Sequence, residues 1–408
     1  MRILFIEPYY HPDGGPAAPL YTMLCEELAK MGHDVTILAS VPHYPTGKVN
    51  KDYRGWRTLR TFEKGVNVIR VPLPSINRSI LWQRYFQFLI YQIGVVLAGW
   101  KIKAEIFSTA TPSFMVLLPV IYFSIIRRIP FIYNVHDVYP DSGVKLGIFK
   151  NNLIIRFVTR LEKLCARRSA FVRILSPSYA DGVSQLGIAE NKLILIYDWV
   201  DTTLIKPVSR DNNFSIEYNL HNKFVVEYAG NISFSQGLDC VLDAAAILED
   251  EEIHFLLIGE GAAKFELEKK SQEKSLHNIQ FLPFQPREIL PQVLGSADIS
   301  LVILKKGMGF NSLPSKTLSL LASGRPIIAS IDPGSETCKL VERARSGVCV
   351  APEDPVALAN TILQLKRDRN LLQNMSKNGR QYAMDNHSPV YAAEAFEVMF
   401  IKALTTPN

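Results

Sequence analysis

The sequence predicts an α/β protein of two domains, each built on a parallel β-sheet. Its 408 residues exceed the length of one ordinary domain and favour two or three. Short apolar runs alternate with helical patterns along the chain, as expected for strands that helices cover on both faces. This alternation starts afresh near residue 223, after a polar segment at 207–222 that is typical of a linker. We therefore expect domains at 1–199 and 200–385, followed by a helix at 386–408 that is free to pack back on the first domain.

The first domain begins with a strand–helix–strand unit. Ile3–Ile6 and Val35–Ala39 are the apolar strands, and Tyr21–Met31 is an amphipathic helix that stops before Gly32. Further strands are predicted at Val66–Val71, Ile106–Thr109, Phe131–Asn134, Phe171–Leu175 and Leu193–Ile196, with helices at 80–100, 114–127 and 151–169.

The second domain repeats the pattern. Its strands are predicted at Lys223–Ala229, His254–Ile258, Ile279–Phe281, Ile299–Leu304, Ile327–Ala329 and Val348–Val350. Its helices are predicted at 238–247, 262–274, 287–296, 315–323, 335–345 and 355–368, and residues 370–404 are also helical in pattern. Such alternation is typical of two Rossmann-like domains in tandem.

The composition excludes several classes of protein. With 48% hydrophobic and 21% charged residues, the chain is neither disordered, collagen-like nor a small disulfide scaffold. Five cysteines without a CxxC pair favour a reducing compartment. The apolar run at residues 3–6 is too short for a secretory signal. The stretches 86–100 and 114–126 are shorter than the ~20 apolar residues of a spanning helix, so we expect a cytoplasmic protein with core or interfacial helices there.

The net charge of +6 is divided unevenly between the two predicted domains. Residues 1–199 carry 24 Lys and Arg against 14 Asp and Glu, a net +10, and the rest carry 21 against 25, a net −4. The stretch from Lys150 to Arg173, which includes the predicted helix at 151–169, concentrates positive charge around a single acid, Glu162, and contains Lys150, Arg156, Arg160, Lys163, Arg167, Arg168 and Arg173. A core helix with a solvated basic face is one interpretation. The other is an anionic lipid surface, aided by Trp82, Tyr85, Phe86, Phe88 and Tyr91.

The loops that follow the strands hold the candidate site, because ligands of parallel sheets bind at the strands' carboxyl ends. Gly14 and Gly15 precede a helix and let an anion approach the backbone, although a plain turn would use the same residues. His136 and Asp137 follow an apolar strand and offer an imidazole and a carboxylate to a substrate. A helix cap is the structural alternative for Asp137.

Three loops of the second domain are candidates for a phosphate site. The first carries small polar side chains before a helix, without the lysine of a Walker loop, and contains Asn231, Ser233 and Gln236. Gly259 and Gly261 form a GxG turn, which is a weak dinucleotide signal because Lys264 stands where the third glycine would be. Lys316 lies near a predicted helix start and could neutralise a diphosphate; a solvated lysine is the equally supported alternative.

These motifs occur in a characteristic order: GGP at 14–16, HD at 136–137, GNxxxxQG at 230–237, GxG at 259–261, LPSK at 313–316 and ASGRPI at 322–327. Together with PHYPTG at 42–47, they resemble bacterial family 4 glycosyltransferases of the GT-B fold. The resemblance runs over nearly the whole chain. It is strongest to the branch that builds O-antigen, capsule and colanic-acid saccharides, which includes the L-fucosamine transferase group.

The resemblance implies a retaining, metal-independent transfer from a UDP-sugar co-substrate, without a further cofactor. The sugar would be an N-acetylated hexosamine or deoxyhexosamine, and the acceptor a polyprenyl-diphosphate-linked saccharide at the inner face of the plasma membrane. His136 and Asp137 would act near the reacting centre, and Asp13 and Tyr44 would bind the acceptor. The implied donor contacts are Gly14, Gly15, Asn231, Ser233, Gln236, Gly259, Gly261, Phe284, Asn311, Leu313, Pro314, Ser315 and Lys316.

The sequence departs from the wider family at two places. Asn231 and Gln236 stand where many relatives have Arg and Lys, and Asn311 and Ser319 occupy the usual Glu-x7-Glu positions. The positive charge for the diphosphate therefore rests mainly on Lys316, and no general base is evident.

Other functions remain open at this stage. A UDP-N-acetylhexosamine 2-epimerase shares the fold but needs acidic catalytic residues, and an NAD-dependent dehydrogenase needs a complete GxGxxG. A non-enzymatic protein that binds nucleic acid or a membrane surface would use the basic half. No nucleic-acid-binding module is recognisable, so we expect no nucleic-acid partner.

Overall fold

The computed structural model describes residues 1–140, 144, 151–311 and 314–406. The chain forms two compact units. Unit 1 comprises Met1–Asp198 together with the C-terminal segment from Pro389, and unit 2 comprises Trp199–Ser388. The chain passes from unit 1 to unit 2 after Asp198, one residue before the expected boundary. It returns to unit 1 at Pro389, whereas the C-terminal helix was expected to begin at residue 386.

Unit 1 contains a sheet whose strands are β1 (Arg2–Ile6), β2 (Asp34–Ser40), β3 (Leu59–Glu63), β4 (Val66–Val71), β5 (Ile106–Ala110), β6 (Phe131–Val135), β7 (Phe171–Ile174) and β8 (Leu193–Leu195). Within the described residues these eight strands are ordered β3-β4-β2-β1-β5-β6-β7-β8. All neighbours are parallel except β3 and β4. The carboxyl ends of β1, β5 and β6 therefore lie side by side, which brings the loops after them together.

Helices cover this sheet, and their bounds are α1 (Ala18–Lys30), α2 (Leu81–Gly99), α3 (Leu117–Val120), α4 (Asn152–Arg168) and α5 (Ser178–Ser184). Short 3-10 segments lie at Lys51–Tyr53, Ser113–Met115 and Glu190–Lys192. The predicted helix at 114–127 is helical in the structure but is divided into segments, and a π-helical segment, Ile121–Ile126, follows the short α3. Pro119 lies within α3 and lacks the N–H that a continuous helix would use there.

The antiparallel strand β3 is absent from the sequence-based prediction. It pairs with β4 through a tight turn in which Lys64 and Gly65 have φ of 46° and 88°. Its sequence, LRTFE, is largely exposed and carries charges, as expected for an edge strand. An exposed edge strand has no apolar run, so hydrophobic patterning does not detect it.

Unit 2 contains a second sheet whose strands are β9 (Phe224–Ala229), β10 (Ile253–Ile258), β11 (Ile279–Leu282), β12 (Ile299–Ile303), β13 (Ile327–Ser330) and β14 (Gly347–Val350). Among the described residues these six strands are all parallel and follow the order β11-β10-β9-β12-β13-β14. The change of direction beside β9 places the loops after β9, β10 and β12 at a topological switch point.

The helices of unit 2 are α6 (Asn213–Glu217), α7 (Asp239–Ile247), α8 (Lys264–Glu273), α9 (Leu290–Gly295), α10 (Lys316–Ser323), α11 (Glu336–Arg343), α12 (Pro355–Arg367) and α13 (Arg369–His387). Short 3-10 segments lie at Phe234–Gln236, Arg287–Ile289 and Gly309–Asn311. The segment 207–222 lies inside unit 2, so its assignment to a linker is wrong. Asn212 and Ser215 form a capping box for α6, and the Asn212 amide also donates to the Gln292 carbonyl at 3.1 Å.

The last helix, α14 (Pro389–Thr405), belongs to unit 1. It packs on α1, and the buried Phe400 ring meets Phe5 of β1 edge to face at 6.2 Å. Lys402 also lies over the Phe171 ring of β7. The C-terminal segment therefore completes the core of the unit that contains the N-terminus.

Helix α2 exposes a stripe of large apolar side chains. The stripe consists of Leu81, Trp82, Tyr85, Phe86, Leu89, Ile93 and Leu97, with Trp100 just beyond the helix end. Tyr91, in contrast, is buried and donates to the Leu38 carbonyl. None of the helices in the described part of the chain combines the length and the apolar character needed to cross a bilayer.

Candidate functional site

A cavity of about 260 Å³ lies in unit 1 at the carboxyl ends of β1, β5 and β6. Most of its wall is apolar or aromatic. The polar and charged side chains around it include Glu7, Tyr9, Arg78, Arg84, His136 and Asp137. The sheet order thus brings both predicted catalytic residues to one cavity, together with two arginines that could meet an anionic group.

His136 is held from two sides. Its backbone N–H donates to Thr111 Oγ1 at 3.1 Å, and its Nε2 lies 2.8 Å from the Tyr21 hydroxyl. Burial lowers the pKa of His136 to about 4, so the imidazole is neutral near pH 7. A neutral imidazole has one donor and one acceptor nitrogen, and because Nε2 pairs with Tyr21, Nδ1 is the nitrogen that remains for a ligand.

Asp137 also lies at this cavity. Its backbone N–H donates to Thr111 Oγ1 at 3.3 Å, and its side chain is exposed. Desolvation raises the pKa of its carboxyl group. The side chain is therefore accessible to a substrate, and its catalytic role remains a prediction.

Asp13 is buried and joins two loops of unit 1. Its Oδ1 accepts the Gly15 N–H at 2.9 Å, and its Oδ2 accepts the His43 N–H at 2.8 Å and the Tyr44 N–H at 3.4 Å. These contacts give the carboxylate a structural role in the glycine loop. Its predicted contact with an acceptor has no support in this geometry and stays a prediction.

The glycine loop also packs closely on Tyr9. A Cβ atom on Gly15 would lie 2.3 Å from the Tyr9 ring, so a larger residue would displace that ring. A Cβ on Gly14 would instead meet the Tyr44 carbonyl at an ordinary 3.8 Å. The Arg78 guanidinium lies over the Tyr44 ring at 4.8 Å. Gly14, Gly15 and Tyr44 thus form one cluster beside the cavity.

The structure adds Glu7 and Tyr21 to the site. Glu7 follows β1, is buried and raises the pKa of Tyr21 by its negative charge, while its Oε1 has no partner in the described part of the chain. Desolvation raises its pKa well above the ordinary value. A polar residue directly after an apolar strand is the same signal that identified His136, and it would have identified Glu7 as well.

Lys316 is the charged centre of the unit 2 site. It opens α10, and its Nζ is buried without a hydrogen-bond partner among the described residues. The Nζ lies 3.6 Å from the centre of the Tyr228 ring, and a Cβ on Gly230 would be 3.4 Å away from it. Burial lowers the pKa of Lys316 to about 7. The solvated-lysine interpretation of this residue is therefore wrong.

A buried carboxyl group, that of Glu227, interacts electrostatically with Lys316. Glu227 lies in the middle of β9, where its Oε2 accepts from the Ser300 hydroxyl at 3.2 Å. Burial raises the pKa of Glu227 to about 8, and the charge of Arg325 is among the effects that oppose this rise. An acid flanked by apolar residues of a buried strand is a sequence signal that the motif-based reasoning passed over.

The glycine loops of unit 2 interlock. A Cβ on Gly259, whose φ is 148°, would lie 1.8 Å from the Gly230 carbonyl oxygen, and a Cβ on Gly261 would lie 2.2 Å from the Ile232 carbonyl oxygen. The Ile232 N–H donates to the Glu260 carbonyl at 2.9 Å. Both predicted glycines are therefore required by close backbone packing, which also positions the loop after β9.

The side chains of that loop have different surroundings. The Tyr228 hydroxyl lies 2.7 Å from the Asn231 carbonyl and 3.0 Å from Gln236 Oε1. The Ser233 hydroxyl pairs with Ser235 at 2.9 Å. The Asn231 side chain is exposed. The backbone and Gln236 are thus fixed by the same tyrosine that packs on Lys316.

The remaining predicted donor contacts are dispersed. Phe284 follows β11 and is exposed, Pro314 and Ser315 precede α10, and Asn311 ends the 3-10 segment Gly309–Asn311. Leu313 lies outside the described residues. The structure also places Asp332, which follows β13, against the backbone N–H groups of Gly307 and Gly309 at 2.8–2.9 Å.

Two family comparisons cover most of the chain. Residues 14–199 match the glycosyl transferase 4-like domain, and residues 209–382 match the glycosyl transferases group 1 family. The two matches correspond closely to the separate halves that the motif order indicates.

Similar proteins agree with these matches. WcaI of Escherichia coli strain K12, named as a glycosyl transferase of colanic acid biosynthesis, is 27% identical over 94% of this chain and 95% of its own length. WbjE of Pseudomonas aeruginosa, named as a glycosyltransferase, is 23% identical over 71% of this chain and 73% of its own. HepE of Anabaena, solved in complex with UDP, shares the fold with a TM-score of 0.70 at 17% identity, over 98% of this chain and 100% of that one.

Proposed function

Because the chain belongs to the GT-B glycosyltransferases that join a 4-like domain to a group 1 domain, we propose that it transfers a sugar from a UDP-sugar to a lipid-linked saccharide. The observation that carries the donor part is the Nζ of Lys316, which is buried and has no hydrogen-bond partner among the residues that the structure describes. It lies at the start of an eight-residue helix and faces the glycine loop after β9. A cation and a helix N-terminus together suit a diphosphate.

The choice of UDP and of a polysaccharide pathway rests on relatives. HepE was also solved with UDP-glucose, and the name of WcaI assigns it to colanic acid biosynthesis. The acceptor would bind in the unit 1 cavity, where the apolar wall suits a polyprenyl chain and Arg78 and Arg84 suit its diphosphate. His136 and Asp137 lie at the same cavity and would contact the reacting sugar.

The chemical role of these residues would be to stabilise the leaving group. As the glycosidic bond to the donor breaks, negative charge grows on the nucleotide diphosphate, and Lys316 with the α10 N-terminus would offset it. We propose that the transferred sugar keeps its anomeric configuration and that transfer needs no metal ion. Product NMR and an assay in excess EDTA would test these two features.

A thermal-shift screen tests the donor assignment. UDP and UDP-sugars should raise the melting temperature of the protein because a ligand that binds only the folded state stabilises it, whereas ADP and GDP should raise it less. Lys316→Ala should lose most of the shift. The control Lys269→Ala should keep it, because Lys269 is exposed and, within the described residues, its one ion pair is with Glu273 on the same helix. No shift with any nucleotide would contradict the proposal.

We also propose that unit 1 binds anionic lipid. On α4, the apolar residues expected to form a core face are partly exposed, and exposed arginines stand among them. The exposed set is Leu153, Ile154, Phe157 and Leu164, with Arg156, Arg160, Arg167 and Arg168. Helix α3 contacts both α4 and α2, which carries the apolar stripe. Apolar side chains beside cations favour the interface of an anionic bilayer, here the inner leaflet.

Vesicle co-sedimentation tests the lipid surface. Changing Arg156, Arg160 and Arg167 to Gln should weaken binding to phosphatidylglycerol vesicles by about 10²-fold, because each cation near the surface contributes about 1 kcal/mol. A charge-matched control changes Lys51, Arg54 and Arg57, which are exposed elsewhere on unit 1, and should have a much smaller effect. Equal losses in the two triple variants would show a non-specific charge effect, and equal binding to neutral vesicles would reject the anionic-lipid proposal.

A further inference from the structure

Residues 111–116, between β5 and α3, form one wall of the unit 1 cavity, and we call them the wall segment. All of them except Ser113 line the cavity, and apart from Thr111 the lining residues are apolar. The Phe114 ring packs edge to face on Tyr85 of α2 at 6.2 Å and on Tyr139 at 6.1 Å. The position of the wall segment therefore shapes the apolar side of the cavity.

Glu162 ties the wall segment to α4. Its side chain is buried, and its Oε1 accepts both the backbone N–H and the hydroxyl of Ser113, at 2.7 and 2.8 Å. Its Oε2 accepts from the hydroxyl of Tyr133, on β6, at 2.6 Å. One carboxylate thus joins α4, the sheet and the wall segment through three short hydrogen bonds.

Gln92 ties the far end of the wall segment to α2. Its Nε2 donates to the Phe114 carbonyl at 3.1 Å, and its Oε1 accepts the N–H of Leu118, in α3, at 3.0 Å. At the near end, Thr111 Oγ1 accepts the backbone N–H groups of His136 and Asp137. Buried side chains therefore hold the segment, and its first residue supports the loop that carries both candidate catalytic residues.

Packing alone does not account for the choice of Glu162. The other buried residues of α4 are Val158, Cys165 and Ala166, which are apolar or weakly polar. An apolar side chain of similar volume is often neutral or even stabilising in place of a buried charge. It would, however, leave the buried Ser113 N–H without its acceptor. The carboxylate is therefore suited to fixing the wall segment rather than to filling space.

We propose that Glu162 and Gln92 are positioning residues that hold the wall segment and thereby set the affinity of the cavity for the isoprenoid part of a lipid-linked acceptor. The described residues that line the cavity do not include either of them, so both act through Ser113 and Phe114. A preformed apolar wall binds a flexible chain more tightly because less of the protein must be ordered on binding. The inference rests on the proposed function in naming this acceptor, whereas the fixing of the wall segment does not depend on it.

Hydrogen exchange of the full chain, measured by mass spectrometry, tests the fixing of the wall segment without any substrate. Glu162→Leu keeps a similar volume but removes both acceptor oxygens, so amides at 111–118 should exchange at least about tenfold faster. Glu162→Gln keeps one oxygen for Ser113 and should retain most of the protection. Unchanged exchange in Glu162→Leu, or equal acceleration in the two variants, would overturn the inference.

Calorimetric titration with farnesyl diphosphate, a short and soluble isoprenoid diphosphate, tests the effect on affinity. Glu162→Leu should bind it about tenfold more weakly, as expected for the loss of a hydrogen bond to a charged group, and Glu162→Gln should bind it nearly as the wild type does. A role in stability alone would lower the melting temperature of Glu162→Leu and leave the affinity of the folded protein unchanged. That result would overturn the inference.

Glu63→Leu is the control for the loss of a carboxylate in unit 1. Glu63 accepts from Thr61 and from the buried Arg70, but it lies on the edge strand β3, which supplies no described residue to the cavity. This variant should lose stability and keep its affinity for farnesyl diphosphate. A loss of affinity equal to that of Glu162→Leu would show a general effect of destabilisation and overturn the inference.

Gln92→Leu and Ser113→Ala decide the question should Glu162→Leu fail to fold by circular dichroism. Each removes one attachment of the wall segment, and wild-type exchange in both would overturn the inference. In a transfer assay they should raise the KM for the acceptor and leave the KM for the UDP-sugar unchanged, because the proposed nucleotide site lies in unit 2. If the wild type does not bind farnesyl diphosphate, the proposed acceptor and the inferred affinity are both rejected, while the exchange result still shows whether Glu162 holds the wall segment.

Discussion

Lys316→Met should lower kcat/KM for the UDP-sugar by about 10²–10³-fold, the usual cost of losing one charged contact to a developing anion. The side chain of methionine fills similar space and keeps the packing on Tyr228, so the loss would report the missing ammonium group. Steady-state kinetics with a varied UDP-sugar would measure it, and calorimetric titration with UDP would show how much of it is ground-state binding.

The matched control for this variant is Lys269→Met. Lys269 lies in the same unit, is exposed, and makes an i,i+4 ion pair with Glu273 at 3.5 Å. Such surface pairs contribute little to stability. Its kinetics should therefore equal the wild type, and a loss of activity in Lys316→Met no larger than in Lys269→Met would remove Lys316 from the site.

The pH dependence of UDP binding gives Lys316 a second signature. In the free protein burial lowers its pKa to about 7, and the charge of a bound diphosphate must raise this pKa. Binding at pH 8 should then take up close to one proton at Lys316, and affinity should fall by up to about tenfold per pH unit above 7. The difference in proton uptake between the wild type and Lys316→Met measures the proton that Lys316 takes up when UDP binds.

Gly259→Ala should destabilise unit 2 by at least about 3 kcal/mol and abolish binding of UDP. Gly259 has φ of 148°, and its Cβ would lie 1.8 Å from the Gly230 carbonyl oxygen. Backbone atoms cannot yield to this extent without separating the loops after β9 and β10. Guanidinium denaturation, together with a UDP titration, would measure both effects.

Gly334→Ala is the control that separates the steric clash expected at Gly259 from the cost of a positive φ. Gly334 also has a positive φ, of 77°, but a Cβ there meets nothing within 4 Å. The cost should be about 1–2 kcal/mol, which is the penalty of the left-handed conformation alone. If the two alanine variants are equally stable, interlocking of the two loops does not explain the need for Gly259.

Much of the fold was predictable because parallel strands buried on both faces form continuous apolar runs. Val66–Val71 was predicted with the bounds observed, and the strands at Ile3–Ile6 and His254–Ile258 each begin one residue earlier in the structure. The missing elements have physical reasons. Strand β3 is exposed and charged, and α6 is held by contacts of Asn212 with residues 80 or more positions away.

The candidate site was predictable only in part. Position after a strand identified His136 and Gly259, since the topology of a parallel sheet gathers such residues at one edge. The same rule covers Glu7 and Asp332, but the N–H groups that Asp332 binds, those of Gly307 and Gly309, come from distant positions, and so does the Tyr21 hydroxyl beside His136. Asp13 illustrates the opposite case, because its backbone contacts with His43 and Tyr44 give it a structural role that the motif did not indicate.

The sequence alone determined the class of this protein: two α/β units, an ordered set of glycosyltransferase motifs, and a positive charge concentrated in residues 1–199. These features are local or compositional, so they can be recognised without knowledge of how the side chains pack. Only the tertiary structure decided the environments that govern chemistry. Burial places Lys316 Nζ over the Tyr228 ring and keeps His136 uncharged beside the Tyr21 hydroxyl. The cost of removing a charge from water depends on every atom that surrounds it, so the sequence alone could not show these environments.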